Sequence, residues 1–201
     1  MGLLSQLKTC AAAAAVLATT SVAAIAATFS GSFALSGDAF SDPGLEVSAS
    51  PMSGSGSFDL DVGESLTFDL FDIWTNEESV NWDDMVPNSI NVAFTMTQPV
   101  ASGTATGTTV GQGFVWQWGS VNWGAPLQIA FGNGGLLQIA LSDETFNLGW
   151  FGLNEGPKKG ATVQATATYV SAPAPVPLPA GGLLLLGAMG AFAVVRRRKS
   201  V

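Results

Sequence analysis

Apolar and polar side chains alternate one for one in segment after segment between residues 57 and 170. "SFDLDV" sets Phe58, Leu60 and Val62 against Asp59 and Asp61, and "SLTFDL" sets Leu66, Phe68 and Leu70 against Thr67 and Asp69. "SINVAFTMT" repeats the pattern with Ile90, Val92, Phe94 and Met96, and "ATVQATATYV" with Val163, Ala165, Ala167 and Tyr169. In "GFVWQW", Phe114, Trp116 and Trp118 fall on one apolar face. Successive side chains of a strand point to opposite faces, so a period of two gives one face to a core and one to water. A surface helix needs a period near 3.6, and no amphipathic helical run longer than two turns occurs in this region. The chain is thereby held to all-β folds.

One hairpin is nearly spelled out. "PLQIAF" and "LLQIAL" flank "GNGG", residues 132–135. Gly and Asn tolerate the positive φ of a tight turn. Leu127, Ile129 and Phe131 should share a face, as should Leu137, Ile139 and Leu141. "NEGPKKG", residues 154–160, reads as a second turn. "ASGTATGTTVGQG", residues 101–113, lacks bulk and fits either a flexible loop or an exposed edge strand; it reads as a strand that ends in a loop. About eight to ten short antiparallel strands predict a β-sandwich, jelly-roll-like, over residues 28–171.

The flanks are different in kind. Lys8 is the only charge before Asp38, and an Ala-rich run follows it. Ala24 and Ala26 put small residues where a signal peptidase reads, so residues 1–27 read as a secretory signal peptide. Cys10 precedes the apolar run and should leave with it, so the mature chain has no thiol. At the other end, "SAPAPVPLP" has a proline at every second position from Pro173 to Pro179, an extended spacer over 172–177. Residues 178–195 carry no charge; as a helix they would span about 27 Å, close to a bilayer core of about 30 Å. Arg196, Arg197, Arg198 and Lys199, within residues 196–201, form a basic stop that should stay cytoplasmic.

Val176-Pro177-Leu178-Pro179-Ala180, the Gly/Leu-rich run and the terminal Arg cluster together resemble the VPLPA variant of the PEP-CTERM sorting signal. The resemblance covers about 25 residues. It implies recognition by exosortase, an integral-membrane cysteine protease that cuts near the motif. It also implies export across the inner membrane of a Gram-negative cell, a membrane-anchored precursor, and delivery to the cell surface or an exopolysaccharide-rich matrix.

Charge and residue types then narrow the chemistry. Of seven basic residues only Lys158 and Lys159 belong to the passenger, against all fifteen acidic ones, a formal −13. Such a surface repels phosphate backbones, which excludes nucleic acid as a partner. Without His or Cys in the passenger, Ser-His-Asp, Cys-His and the usual zinc sites are excluded. Glu64, Asp69, Glu144 and Glu155 are available as paired carboxylates for glycoside hydrolysis, but nothing in the sequence pairs them. No catalytic residue, no enzyme activity and no cofactor are expected, with calcium the one cofactor worth testing. Glu77, Glu78, Asp83 and Asp84 concentrate carboxylates beside Asn81, and Asp59, Asp61 and Glu64 form a second group. No EF-hand spacing is present, and a solvated acidic loop explains the same residues.

Six tryptophans raise a second function class, a surface carbohydrate-binding module beside the plain structural protein. An exposed indole stacks on the C–H face of a sugar. The candidates are Trp82, Trp116, Trp118 and Trp123. Core packing is the competing account of Trp116 and Trp118, whereas Trp82 and Trp123, each beside an Asn, are expected to be exposed.

Overall fold

The computed structural model describes residues 26–175. Eleven strands form two antiparallel sheets, with no α-helix among the described residues. One sheet has six strands in the order β10-β7-β6-β5-β1-β3: β10 (Glu144–Trp150), β7 (Trp116–Trp123), β6 (Val100–Gly113), β5 (Asn88–Gln98), β1 (Ala27–Ser36) and β3 (Ser53–Leu60). The other has five in the order β2-β4-β11-β9-β8: β2 (Val47–Ser50), β4 (Ser65–Thr75), β11 (Ala161–Ser171), β9 (Gly135–Leu141) and β8 (Leu127–Phe131). The all-β expectation and the two antiparallel sheets are thus present. Within the six-stranded sheet β5, β6 and β7 follow one another as a meander.

The sheets face each other across a single core. Phe29 of the six-stranded sheet meets Tyr169 edge-on at 5.1 Å and Phe131 at 5.7 Å, both from the other sheet. Phe58 and Phe68 repeat the contact across the layers at 5.9 Å. The two edge-to-face pairs of Phe29 each add about 0.5–1.5 kcal/mol beyond the area they bury. Ile90, Val92, Ile129, Leu137, Val163, Ala165 and Ala167 complete the core, each inward position falling two residues from the next on its strand. The 127–141 hairpin forms as expected, and its register sets Ile129 opposite Leu137 and Leu127 opposite Ile139. Gly132 and Gly134 carry positive φ in its turn (54° and 89°). The 154–160 turn closes with a short 3-10 turn at Pro157–Lys159.

Two expectations need correction. The 101–113 stretch is a strand, as read, but it does not end in a loop and is not an edge: it is strand throughout within β6, which pairs with β5 on one side and β7 on the other. Its lack of bulk is what an interior strand needs when larger groups cross it. A Cβ at Gly107 would meet the Trp123 ring at 2.7 Å, and one at Gly111 would meet Asp84 and Val80 near 3 Å. The second correction concerns "GFVWQW". Gly113 (φ 97°) ends β6, the chain turns through Phe114 and Val115, and β7 starts at Trp116 with Gln117 facing inward and buried. The turn inverts the alternation, so Phe114 and Trp116 face solvent rather than the core.

In the middle of β10 the layers are tied by one side chain. Asn147, fully buried and at φ 56°, accepts the Thr75 N–H (2.9 Å) and donates to the carbonyls of Gly156 (3.0 Å) and Asn154. It fastens β10 to β4 and to the loop leading into β11.

Candidate functional site

Apolar surface collects where β7 and β10 end. Trp116 and Trp150 are cross-strand partners, and their rings stack at 5.8 Å and 17°. Phe151 stacks on Trp150 at 5.5 Å and 30°. All three are largely exposed (56%, 67% and 72%), and Phe114 (86%) belongs to the same turn that delivers Trp116. Local backbone geometry holds the strip in place. Phe151, itself at φ 55°, donates its N–H to the Val115 carbonyl at 2.7 Å, which binds the end of β10 to the β6–β7 turn. The register of β10 against β7 shifts between Phe146 and Gly149, and this bulge re-aims Trp150 to the outward face. Trp118 follows on that face, opposite Gln112, half-buried with its ring over Gly113.

The other tryptophan candidates lie elsewhere. Trp82 is 88% exposed in the loop between β4 and β5 and stacks on no aromatic ring among the described residues. Trp123 is not the exposed ring its neighbouring Asn suggested. It points inward, half-buried, edge-on to Phe71 at 6.4 Å, with its indole N–H enclosed and without a hydrogen-bond partner. Trp150 and Phe151 are not among the sequence candidates, although "GWFG" places two aromatics between glycines outside any alternating run, a signal for an exposed turn.

The calcium candidates serve as caps on backbone donors. Glu77 accepts the Glu46 N–H (2.6 Å), Asp83 the Gly44 N–H (3.2 Å) and the buried Asp84 the Asn81 N–H (2.7 Å). Glu78 is exposed and takes part through its backbone carbonyl, which accepts the Leu153 N–H. In the second group, Asp59 accepts the Thr28 hydroxyl and Glu64 the Asp61 N–H. No cluster of three or more metal-ligating side chains forms among the described residues. Asp69, Glu144 and Glu155 lie on β4, β10 and the 154–160 turn, apart from Glu64 in the β3–β4 turn. A small apolar cleft of about 60 Å³ opens between Gly31, Gly54, Phe58, Phe68 and Ile139, well below the few hundred Å³ of an ordinary ligand pocket.

The acidic loop does carry a titration signature. Burial pushes the Glu77 carboxyl up, against the lowering effect of the Glu46 N–H, and the Asp84 carboxylate adds to the rise, taking it from 4.5 to about 7. The folded state therefore holds this proton more tightly than the unfolded chain. The resulting stability is fully present below about pH 4.5 and is lost as pH rises through about 7. The melting temperature of Glu77→Gln should vary less than wild type between about pH 5 and 8, because the amide removes this downward contribution. Identical pH profiles for the two proteins would contradict it.

Ala24, the motif Val176–Ala180, the 178–195 run and Arg196–Lys199 lie outside the described residues. No described helix is long and apolar enough to cross a membrane. Comparison with protein-family models, with curated proteins and with solved structures finds no match for this chain.

Proposed function

We propose that the chain is the precursor of an exported, non-catalytic protein of the cell surface or extracellular matrix, delivered as an exosortase substrate. The carrying observation is the ordered tail: Val176 to Ala180, an uncharged run, then Arg196 to Lys199. The paired strands begin at Ala27 and end at Ser171, adjoining in sequence the signal peptide and the proline spacer. The passenger between them holds neither His nor Cys, which fits a structural rather than catalytic role. Processing is tested by mass spectrometry of surface-exposed protein. The C-terminus is expected near Pro177–Ala180, and recovery of intact Arg196–Lys199 on that material would overturn the sorting role.

A second role has its own observation. The exposed strip of Trp116, Trp150 and Phe151 is an apolar platform of ring edges and outer ring faces, surface of the kind that packs on sugar C–H faces. The passenger then binds glycan without processing it. Trp150→Ala should shift glycan-induced quenching of tryptophan fluorescence to about tenfold or more higher glycan concentration; an unchanged titration would remove this role and leave the plain structural one.

A further inference from the structure

The outward face of the six-stranded sheet has an unusual charge pattern. Fifteen acidic residues crowd a passenger with two lysines, yet across the outward positions of β3, β1, β5, β6 and β7 only Asp59 is charged. It stands at one corner, capped by the Thr28 hydroxyl. The fourteen other carboxylates lie on turns, on the β4–β5 loop, on β4 and at the start of β10.

The same face carries hydroxyls and amides in register. Thr104, Thr106 and Thr108 follow one another on β6, about 6.7 Å apart along the strand. Pairing extends them into rows about 4.8 Å apart from strand to strand: Ser32–Thr95–Ser102, Asn91–Thr106 and Thr108–Asn122. Toward β7 and β10 the rows run into Gln112–Trp118 and then Trp116–Trp150.

The two outer faces use their hydroxyls differently. On the five-stranded sheet they are consumed internally: Ser65 with Thr168 and Thr67 with Thr166 at 2.8 Å, and Thr162 with Asp72 at 2.6 Å. On the six-stranded sheet Thr28, Ser89 and Thr97 donate to Asp59, Asp38 and the Ser30 carbonyl, and Gln112 and Asn122 donate to Ser120, but Thr95, Ser102, Thr104, Thr106 and Thr108 make no side-chain hydrogen bond to another described residue. Their donors and acceptors remain open to a partner.

We propose that this face is the binding surface of an uncharged polysaccharide, held by the Trp116–Trp150 stack and laid across the hydroxyl rows of β6 and its neighbours. The proposal rests on the sugar-binding role above and extends it from an aromatic platform to a lane. A neutral chain fits because a polyanion meets the negative field of the whole domain, while a polycation is drawn to the acidic loop and turns instead. Such a chain also alternates hydroxyls with C–H faces, matching open threonine hydroxyls beside indole rings.

The test uses the full-length chain in affinity electrophoresis through gels holding a neutral glucan, a neutral mannan or a polyuronate. Retardation by a neutral polymer and not by the polyuronate is expected. Trp150→Ala should weaken binding by about tenfold or more, as loss of a stacking anchor does. The triple variant Thr104→Val, Thr106→Val, Thr108→Val keeps side-chain shape and strand propensity but deletes three hydroxyls. It should weaken binding by about tenfold while its melting profile stays that of wild type. If Trp150→Ala weakens binding and the triple variant does not, the lane is wrong and the platform stands. If no neutral polymer retards the protein, or the polyuronate does so equally, both the lane and its neutral ligand are overturned.

Discussion

Replacing Asn147 by alanine is expected to destabilise the domain by about 3–5 kcal/mol. The side chain is fully buried and serves three backbone groups, the Thr75 N–H and the carbonyls of Asn154 and Gly156. Alanine leaves all three without a partner in a place water does not reach, and each orphaned group costs about 1–3 kcal/mol. The backbone adds to the loss, because φ at Asn147 is 56°, a conformation that Asn tolerates and alanine resists. Two further variants separate the causes. Asn147→Gly relieves the backbone but not the lost hydrogen bonds, so it should recover only about 1 kcal/mol. Asn147→Asp keeps the acceptor for Thr75 yet turns a carboxylate toward two carbonyls, so it should be no better than alanine at neutral pH. Urea unfolding followed by tryptophan fluorescence measures all three. A cost below about 1 kcal/mol for Asn147→Ala would show that the knot between β10, β4 and the 154–156 loop is not structural.

Asn147 also marks the limit of what periodicity tells. Strands whose register is fixed by burial were legible: the 127–141 hairpin, β5 and β11 each carry an unbroken alternation, and each buries the face it announces. Alternation is silent about positions where the backbone leaves its regular course. Gly113 and the turn after it reset the parity of β7, which sends Trp116 outward. The bulge after Phe146 does the same for β10, so both strands whose tips form the aromatic strip depart from a simple alternation. β6 was obscured for another reason. Its glycines look like loop residues, but they are small because Trp123, Leu127, Val80 and Asp84 lie across them, and such contacts join residues far apart in sequence. Trp123 misled in the same way: its Asn neighbour suggested a loop, while its ring covers Gly107 from the paired strand. The sorting tail stands apart, since its proline motif and charge order are read from the sequence itself.

The dependence of β6 and β7 on small residues leads to a second large effect. Gly119→Ala should cost about 2–4 kcal/mol, whereas Gly56→Ala should be neutral or stabilise by up to about 1 kcal/mol. Both glycines sit within strands of the same sheet, and neither needs positive φ, so intrinsic propensity favours alanine at both. What differs is the space above them. Gly119 pairs with Phe146 on β10, and the phenyl ring, 1% exposed, lies against it, so that a Cβ would overlap the ring. The ring cannot swing away because it is fully enclosed, and displacing it approaches the loss from truncating a buried phenylalanine, about 3–5 kcal/mol. A Cβ at Gly56 meets nothing within 4 Å. A double-mutant cycle identifies the contact: Phe146→Leu should itself destabilise, but combined with Gly119→Ala it should cost less than the sum of the two. The displaced ring would also move β10 against β7 and unstack Trp150 from Trp116, so Gly119→Ala should lose the exciton-coupled circular dichroism of that pair while Gly56→Ala keeps it. Strictly additive energies in the cycle, or an unchanged couplet in Gly119→Ala, would mean that the Phe146 ring does not govern how close these two strands, and the aromatic strip at their tips, are held.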